Sequence, residues 1–167
     1  RSQVSVSVAQ KILKSRPLWL SSVQAASKRI PLIPALFDIL VIDEATQCDL
    51  ASAIPLMFRA KKVVIVGDDK QLKFIPNIGK AQDLNFMRLN NLEPKSAARF
   101  SQSSLSLFDA ALRVPSAQKT LLRSQYRSAP EIVDYISSQF YGGSLNVAVD
   151  YNSLKCPPNQ KPGIAWT

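Results

Sequence analysis

The sequence predicts an α/β protein built on a parallel sheet, and three observations carry that expectation. An apolar run, Phe37 and Ile39 to Ile42 around a single Asp38, ends abruptly in Asp43-Glu44. A second run, Val63-Val64-Ile65-Val66, ends in Gly67-Asp68-Asp69-Lys70-Gln71-Leu72. Between them, Leu50 to Arg59 places Leu50, Ile54, Met57 and Phe58 on one helix face. Short apolar runs of this kind fit strands buried on both faces, and strand, helix, strand is the βαβ unit of a parallel sheet. Both strands then deliver polar residues to their carboxyl edge, where open α/β sheets place ligands.

The remaining elements follow in order. Val4 to Lys14 predicts a helix, with Val4, Val8, Ile12 and Leu13 at helical spacing, and Pro17 ends it. Leu18-Trp19-Leu20 reads as a short buried strand delivering Ser21-Ser22, and Val23 to Lys28 as a helical turn. Pro31 and Pro34 mark a loop into the first long strand. Asn77 to Phe100 shows little periodicity and reads as a long flap or loop. Ser101 to Arg113 returns to helix through Leu105, Phe108 and Leu112, and Pro115 to Ala117 reads as a linker. Thr120-Leu121-Leu122 predicts a strand leading to Gln125-Tyr126-Arg127. Pro130 then opens a helix with the stripe Ile132, Val133, Ile136 and Phe140, stopped by Gly142-Gly143. Asn152 to Pro162 reads as an exposed connection.

Two adjacent carboxylates at a strand end are costly to desolvate unless they serve a ligand there. Such acids hold a hydrated metal and orient a water beside a nucleotide phosphate. Taken alone, they also fit an ordinary strand followed by an acidic helix start. Gln71 at the second strand end adds an amide that can donate to and accept from a phosphate or a water.

Composition narrows the classes. With no histidine, His-based metal sites and Ser-His triads are excluded, and Cys48 and Cys156 alone make no disulfide framework or zinc cluster. Cys48 reads as a small packing residue. No apolar run approaches the roughly 18 residues of a membrane span, so a cytoplasmic protein with no membrane partner is expected. The net charge of +9 is unevenly spread: Arg1, Lys11, Lys14, Arg16, Lys28 and Arg29 all precede the first acid, Asp38. That bias suits a polyanion, although a solvated face or an interdomain surface would show it too.

Asp43-Glu44-Ala45-Thr46-Gln47, Gly67-Asp68-Asp69-Lys70-Gln71-Leu72 and Gln125-Tyr126-Arg127 resemble, in that order, motifs II, III and IV of superfamily 1 helicases. The chain is most similar to the Upf1-like group of DNA and RNA helicases, AAA-type P-loop NTPases, over about residues 18 to 145. Ser104 to Phe108 and Phe140 to Leu145 add to the resemblance. It implies a RecA-like P-loop NTPase fold. Residues 1–116 would form the C-terminal part of a first motor domain, and 117–167 the beginning of a second. It also implies ATP and Mg²⁺ as cofactors, with Asp43 holding the metal through water and Glu44 polarising the attacking water. Gln71 would sense the γ-phosphate, and Arg127 would act as an arginine finger. Ser22 matches a hydroxyl residue that faces nucleic acid in related helicases, and Lys11, Lys14, Lys28 and Arg29 are candidate phosphate contacts.

The sequence departs from the family pattern in two places. Lys73-Phe74-Ile75-Pro76 stands where Pro-Pro often follows Gln-Leu, and Ser128 stands where Met commonly follows the Gln-Tyr-Arg triplet. No G-x-x-x-x-G-K-[ST] cradle is present, because Gly79-Lys80 is followed by Ala81 and has no glycine five residues before it. The chain is therefore expected to be an internal piece of a longer ATP-dependent helicase or translocase, unable to hydrolyse ATP alone. The partners expected are single-stranded or duplex nucleic acid and the remainder of the helicase chain. The alternatives are a catalytically inactive nucleic-acid-binding module with the same fold, and a P-loop nucleotide switch that does not unwind.

Overall fold

The structure, a computed structural model, describes residues 6–93 and 99–148. Arg1, Val4, Cys156 and the 152–162 connection lie outside the described residues. The chain divides into two compact units, Arg1–Ala117 and Gln118–Thr167. Among the described residues no helix is long and apolar enough to cross a membrane.

In the first unit, α1 (Val6–Ser15) and α2 (Val23–Arg29) precede β1 (Phe37–Ile42). A 3-10 turn (Ala45–Gln47) leads to α3 (Leu50–Phe58) and β2 (Ala60–Ile65), followed by α4 (Lys80–Leu89) and α5 (Leu107–Leu112). β1 and β2 pair in parallel, Phe37 opposite Ala60 and Ile42 opposite Ile65. The expected βαβ unit is present, with β2 beginning at Ala60 rather than Val63. Asp49 starts α3 by accepting the Ser52 N–H at 2.8 Å, which satisfies one of the free donors of a helix start.

The core is small and one-sided. Ile42, Ala45, Leu50, Ala53 and Leu107 form it, with Leu40, Met57, Ile65 and Phe108 packed around. Alternation along β1 sends Leu40 and Ile42 to this core and Ile39 and Val41 to the other side. There Ile39 is 58% and Val41 59% exposed, so the expectation of a strand buried on both faces is corrected. The physical reason is that the core residues Leu50, Ala53 and Leu107 of α3 and α5 gather on the Leu40 and Ile42 side. Phe37, on the same side as Ile39, meets Trp19 edge-on at 6.3 Å between ring centres.

Other expectations are also corrected. α1 buries Ala9, while Val8 and Ile12 stay exposed. Leu18-Trp19-Leu20 forms no strand, and Leu18 and Leu20 are 81% and 93% exposed. α3 buries Leu50, Ala53 and Leu56 and leaves Ile54 and Phe58 outside, with the small Ala53 against the core. The stretch 77–100, read as irregular, contains α4, whose buried residues are Asp83 and Met87. α5 begins at Leu107 rather than Ser101 because a capping box sets its start. Ser106 Oγ accepts the Asp109 N–H while the Asp109 carboxylate accepts the Ser106 N–H.

Two buried polar groups tie loops to this frame. Arg59, just past the end of α3, donates to the carbonyls of Ile30 (2.8 Å), Pro31 (3.0 Å) and Pro55, fastening the turn after α2. Asp83 of α4 accepts from the hydroxyls of Ser101 and Ser103, both at 2.9 Å, and from the Ser103 N–H at 3.0 Å.

In the second unit, β3 (Ser124–Gln125) pairs in parallel with β4 (Asn146–Val147), and α6 (Pro130–Phe140) connects them. Thr120-Leu121-Leu122 is not the strand, and both leucines are exposed. Pro130 opens α6 as expected, and Gly142 (φ +58°) and Gly143 (φ +75°) end it in left-handed conformations. α6 buries Val133 and Ser137 while Ile132 and Phe140 are exposed, so part of the expected stripe is not core.

Candidate functional site

Asp43 and Glu44 follow β1 directly, and both are exposed. Asp43 Oδ1 accepts the Glu44 N–H at 2.9 Å. Glu44 itself has φ 53° and ψ 40°. That left-handed backbone costs a residue bearing a Cβ about 1–2 kcal/mol. It turns the chain sharply, so that Ala45 and Thr46 are buried while the Glu44 carboxylate stays outside. Backbone strain of this kind clusters at functional positions. The Gln47 side-chain amide donates to Glu44 Oε2 at 3.5 Å.

The end of β2 lies beside it. Val66 N–H donates to Ile42 O at 2.8 Å, and Ala45 N–H donates to Val66 O at 2.9 Å, so the pairing continues into the loops. Beyond Gly67, Asp68 organises the next turn. Its carboxylate accepts the Lys70 N–H at 3.0 Å and the Gln71 side-chain amide at 2.9 Å. The structure thus brings Asp43, Glu44 and Gln71 to one edge of one sheet. Asp68 is the residue that sequence reasoning missed. The available signal was an Asp opening a tight turn, where its side chain bonds the backbone two residues on.

The donor set fits a hydrated Mg²⁺ better than a caged metal. Among the described residues no group of three or more His, Cys, Asp or Glu side chains converges. Mg²⁺ needs only one or two carboxylates beside phosphates and waters. Cys48 is a half-buried free thiol, and burial pushes its pKa up, with the Asp49 charge adding to the effect. That suits packing rather than reactivity.

The other candidates lie on other elements. Ser22 caps α2, its Oγ accepting the Ala25 N–H at 3.3 Å. Lys28 and Arg29 occupy the last turn of α2, while Lys11 and Lys14 lie on α1, and all four are exposed. An open groove of about 690 Å³ borders the two loops, lined by Gln24, Gln47, Leu72, Phe74, Asn77 and Gln102 among others. In the second unit, Arg127 is exposed just after β3, in a turn held by the Ser128 N–H donating to Gln125 Oε1 at 3.1 Å.

Two family models match the chain, each described as an AAA domain, over residues 3–74 and 103–165. An uncharacterised ATP-dependent helicase of Mycoplasma genitalium is 32% identical over 133 residues, 77% of this chain and 11% of the relative. The probable helicase MAGATAMA 3 of Arabidopsis thaliana is 35% identical over 115 residues, 68% of this chain and 12% of the relative. Helicase SEN1 of Saccharomyces cerevisiae is 34% identical over 110 residues, 65% of this chain and 4% of the relative. The chain therefore spans about a tenth or less of the length of these curated relatives.

Proposed function

The chain belongs to superfamily 1 of the helicases, and we propose that it carries the hydrolysis half of an ATP-driven nucleic-acid helicase site. One observation carries this. Two parallel strand ends, joined through Ile42, Ala45 and Val66, present Asp43, Glu44 and Gln71 on a single edge. Asp43 would hold Mg²⁺ through water. Bound Mg²⁺-ATP would supply the phosphoryl group and the charge neutralisation that its transfer needs. Glu44 would accept a proton from the attacking water and orient it, and Gln71 would bond the γ-phosphate in place of Asp68. Arg127 would neutralise growing phosphoryl charge from the second motor domain, with 1–116 belonging to the first and 117–167 to the second. Lys11, Lys14, Lys28 and Arg29 would contact phosphates, and Ser22 and the amide-lined groove a single strand. Such contacts read no bases, as a translocating motor requires.

Glu44→Gln in the full-length protein tests the assignment. The amide keeps shape and hydrogen bonding but takes no proton, so nucleotide affinity should persist while turnover falls by orders of magnitude. Equal losses of affinity and turnover would make Glu44 a structural residue. Residues 1–167 alone should not turn over ATP, since no phosphate cradle is present. The nucleic-acid contacts are tested by titrating the full-length protein with single strands against salt. Each phosphate contact removed should flatten the log–log slope by about 0.7. An unchanged slope after Lys11, Lys14, Lys28 and Arg29 are changed to Ala would remove them from the interface.

A further inference from the structure

The segment that presents Gln71 is pinned at both ends. At its start, Gly67 lies against Phe108 of α5. A Cβ on Gly67 would stand 2.7 Å from the ring, closer than side chains approach. At its end, the Phe74 N–H donates to Thr46 O at 3.0 Å, tying it to the 3-10 turn behind Glu44. Between Phe74 and α5, Lys73 Nζ lies 3.7 Å from Asp109 Oδ1, while Asp109 Oδ2 is held by the N–H and hydroxyl of Ser106. α5 in turn is fastened to the stretch beyond Glu44, with Leu107 N–H donating to Cys48 O at 2.8 Å.

We propose that Lys73, Phe74 and Phe108 are positioning residues that fix Gln71 relative to Glu44. This rests on the roles given to Glu44 and Gln71 above. The Asp68–Gln71 turn hangs between Gly67 and Phe74, so opening either pin would loosen it. The bond at Phe74 exists because this position is not proline, which has no N–H. Lys73-Phe74, the place where the sequence departs from the family's Pro-Pro, thereby replaces ring stiffness with a hydrogen bond and an ion pair. Misplacing a reacting group by about 1 Å can cost on the order of 10²-fold in rate.

The test compares Phe74→Pro with Phe74→Ala in the full-length protein, since both lose the ring and only one loses the N–H. ATP turnover with nucleic acid present and thermal melting are measured side by side. Phe74→Pro should show kcat about tenfold below Phe74→Ala, with KM changed less than about threefold. Equal kcat values, or a KM that rises as kcat falls, would overturn the proposal. Should Phe74→Pro fail to melt cooperatively, the exposed Lys73 carries the test. Lys73→Glu should lower kcat several-fold at unchanged melting temperature, and Lys73→Arg should recover part of the difference. Wild-type kcat in Lys73→Glu would then remove the clamp. Glu44→Gln in the same preparation separates the two failures. If it keeps turnover, the site assignment falls and this inference with it. If it loses turnover while the Phe74 pair agree, only the positioning role falls.

Discussion

The loops after β1 and β2 and the loop after β3 hold the side chains proposed for the chemistry in opposite ways. In the first unit Glu44 sits on a strained turn whose neighbours Ala45 and Thr46 are buried, and Val66 bonds it to β2. In the second, Arg127 stands on an exposed turn after a two-residue strand, with Gln125 holding only the backbone of Ser128. Residues that must meet a small ion and a water need a fixed frame. A long guanidinium on an exposed loop can instead reach charge that develops elsewhere. Chemistry and folding should therefore separate at Arg127 and be entangled at the strand ends.

The largest expected effect breaks or keeps that contrast directly. Arg127→Ala should lower kcat of the full-length protein by about 10³-fold or more while its melting temperature stays near wild type. Arg127→Lys should recover little, since an ammonium lacks the planar fork. Loss of cooperative melting in Arg127→Ala would show that the second unit's loop is scaffold after all. Next comes Arg59, the buried cation that ties the turn after α2 to the end of α3. Arg59→Leu removes its charge-assisted bonds to three carbonyls and should cost about 2–3 kcal/mol in chemical denaturation. A loss under half that would mean water takes over those carbonyls.

A smaller, pH-dependent effect is expected at Asp83. Burial raises its pKa, but bonds from the backbone and hydroxyl of Ser103 and the hydroxyl of Ser101 outweigh it, and the net value lies below the ordinary 3.8. A depressed folded pKa gives stability that is full above the unfolded value and lost as pH falls through the folded one. The gap in melting temperature between wild type and Asp83→Asn should therefore narrow as pH drops from about 5 to about 3. A constant gap would assign the effect to packing alone. Smallest of all is Lys61–Asp38, a 2.7 Å solvent-exposed pair near the start of the two strands. Lys61→Ala should leave the melting temperature unchanged within error, because exposed pairs trade solvent contacts for each other at little net gain.

How much of this was legible depended on what kind of force set each element. The parallel pair and its acidic ends were readable because apolar runs and their stops are strong local signals. α4 was hidden because its stability leans on one buried acid meeting Ser101 and Ser103, far along the chain, rather than on an apolar stripe. The start of α5 was readable in principle, as Ser106-x-x-Asp109 is a capping box written in the sequence. Leu18-Trp19-Leu20 misled because hydrophobic triplets signal burial only when something is there to cover them. At the proposed site, side-chain type pointed to Asp43, Glu44 and Gln71 as candidates, whereas Asp68 and the Gly67–Phe108 contact needed the fold.

The left-handed backbone of Glu44 has a consequence for what selection can and cannot improve. Glycine adopts that conformation freely, so Glu44→Gly should relieve local strain and make the fold more robust by up to about 1 kcal/mol. The same change deletes the carboxylate on which the proposed chemistry depends. Optimising the chain for heat resistance alone would drift toward glycine here, and a library sorted by stability should enrich it. A library sorted by ATP turnover should reject it. Position 44 is thus a point where durability and activity pull the sequence in opposite directions.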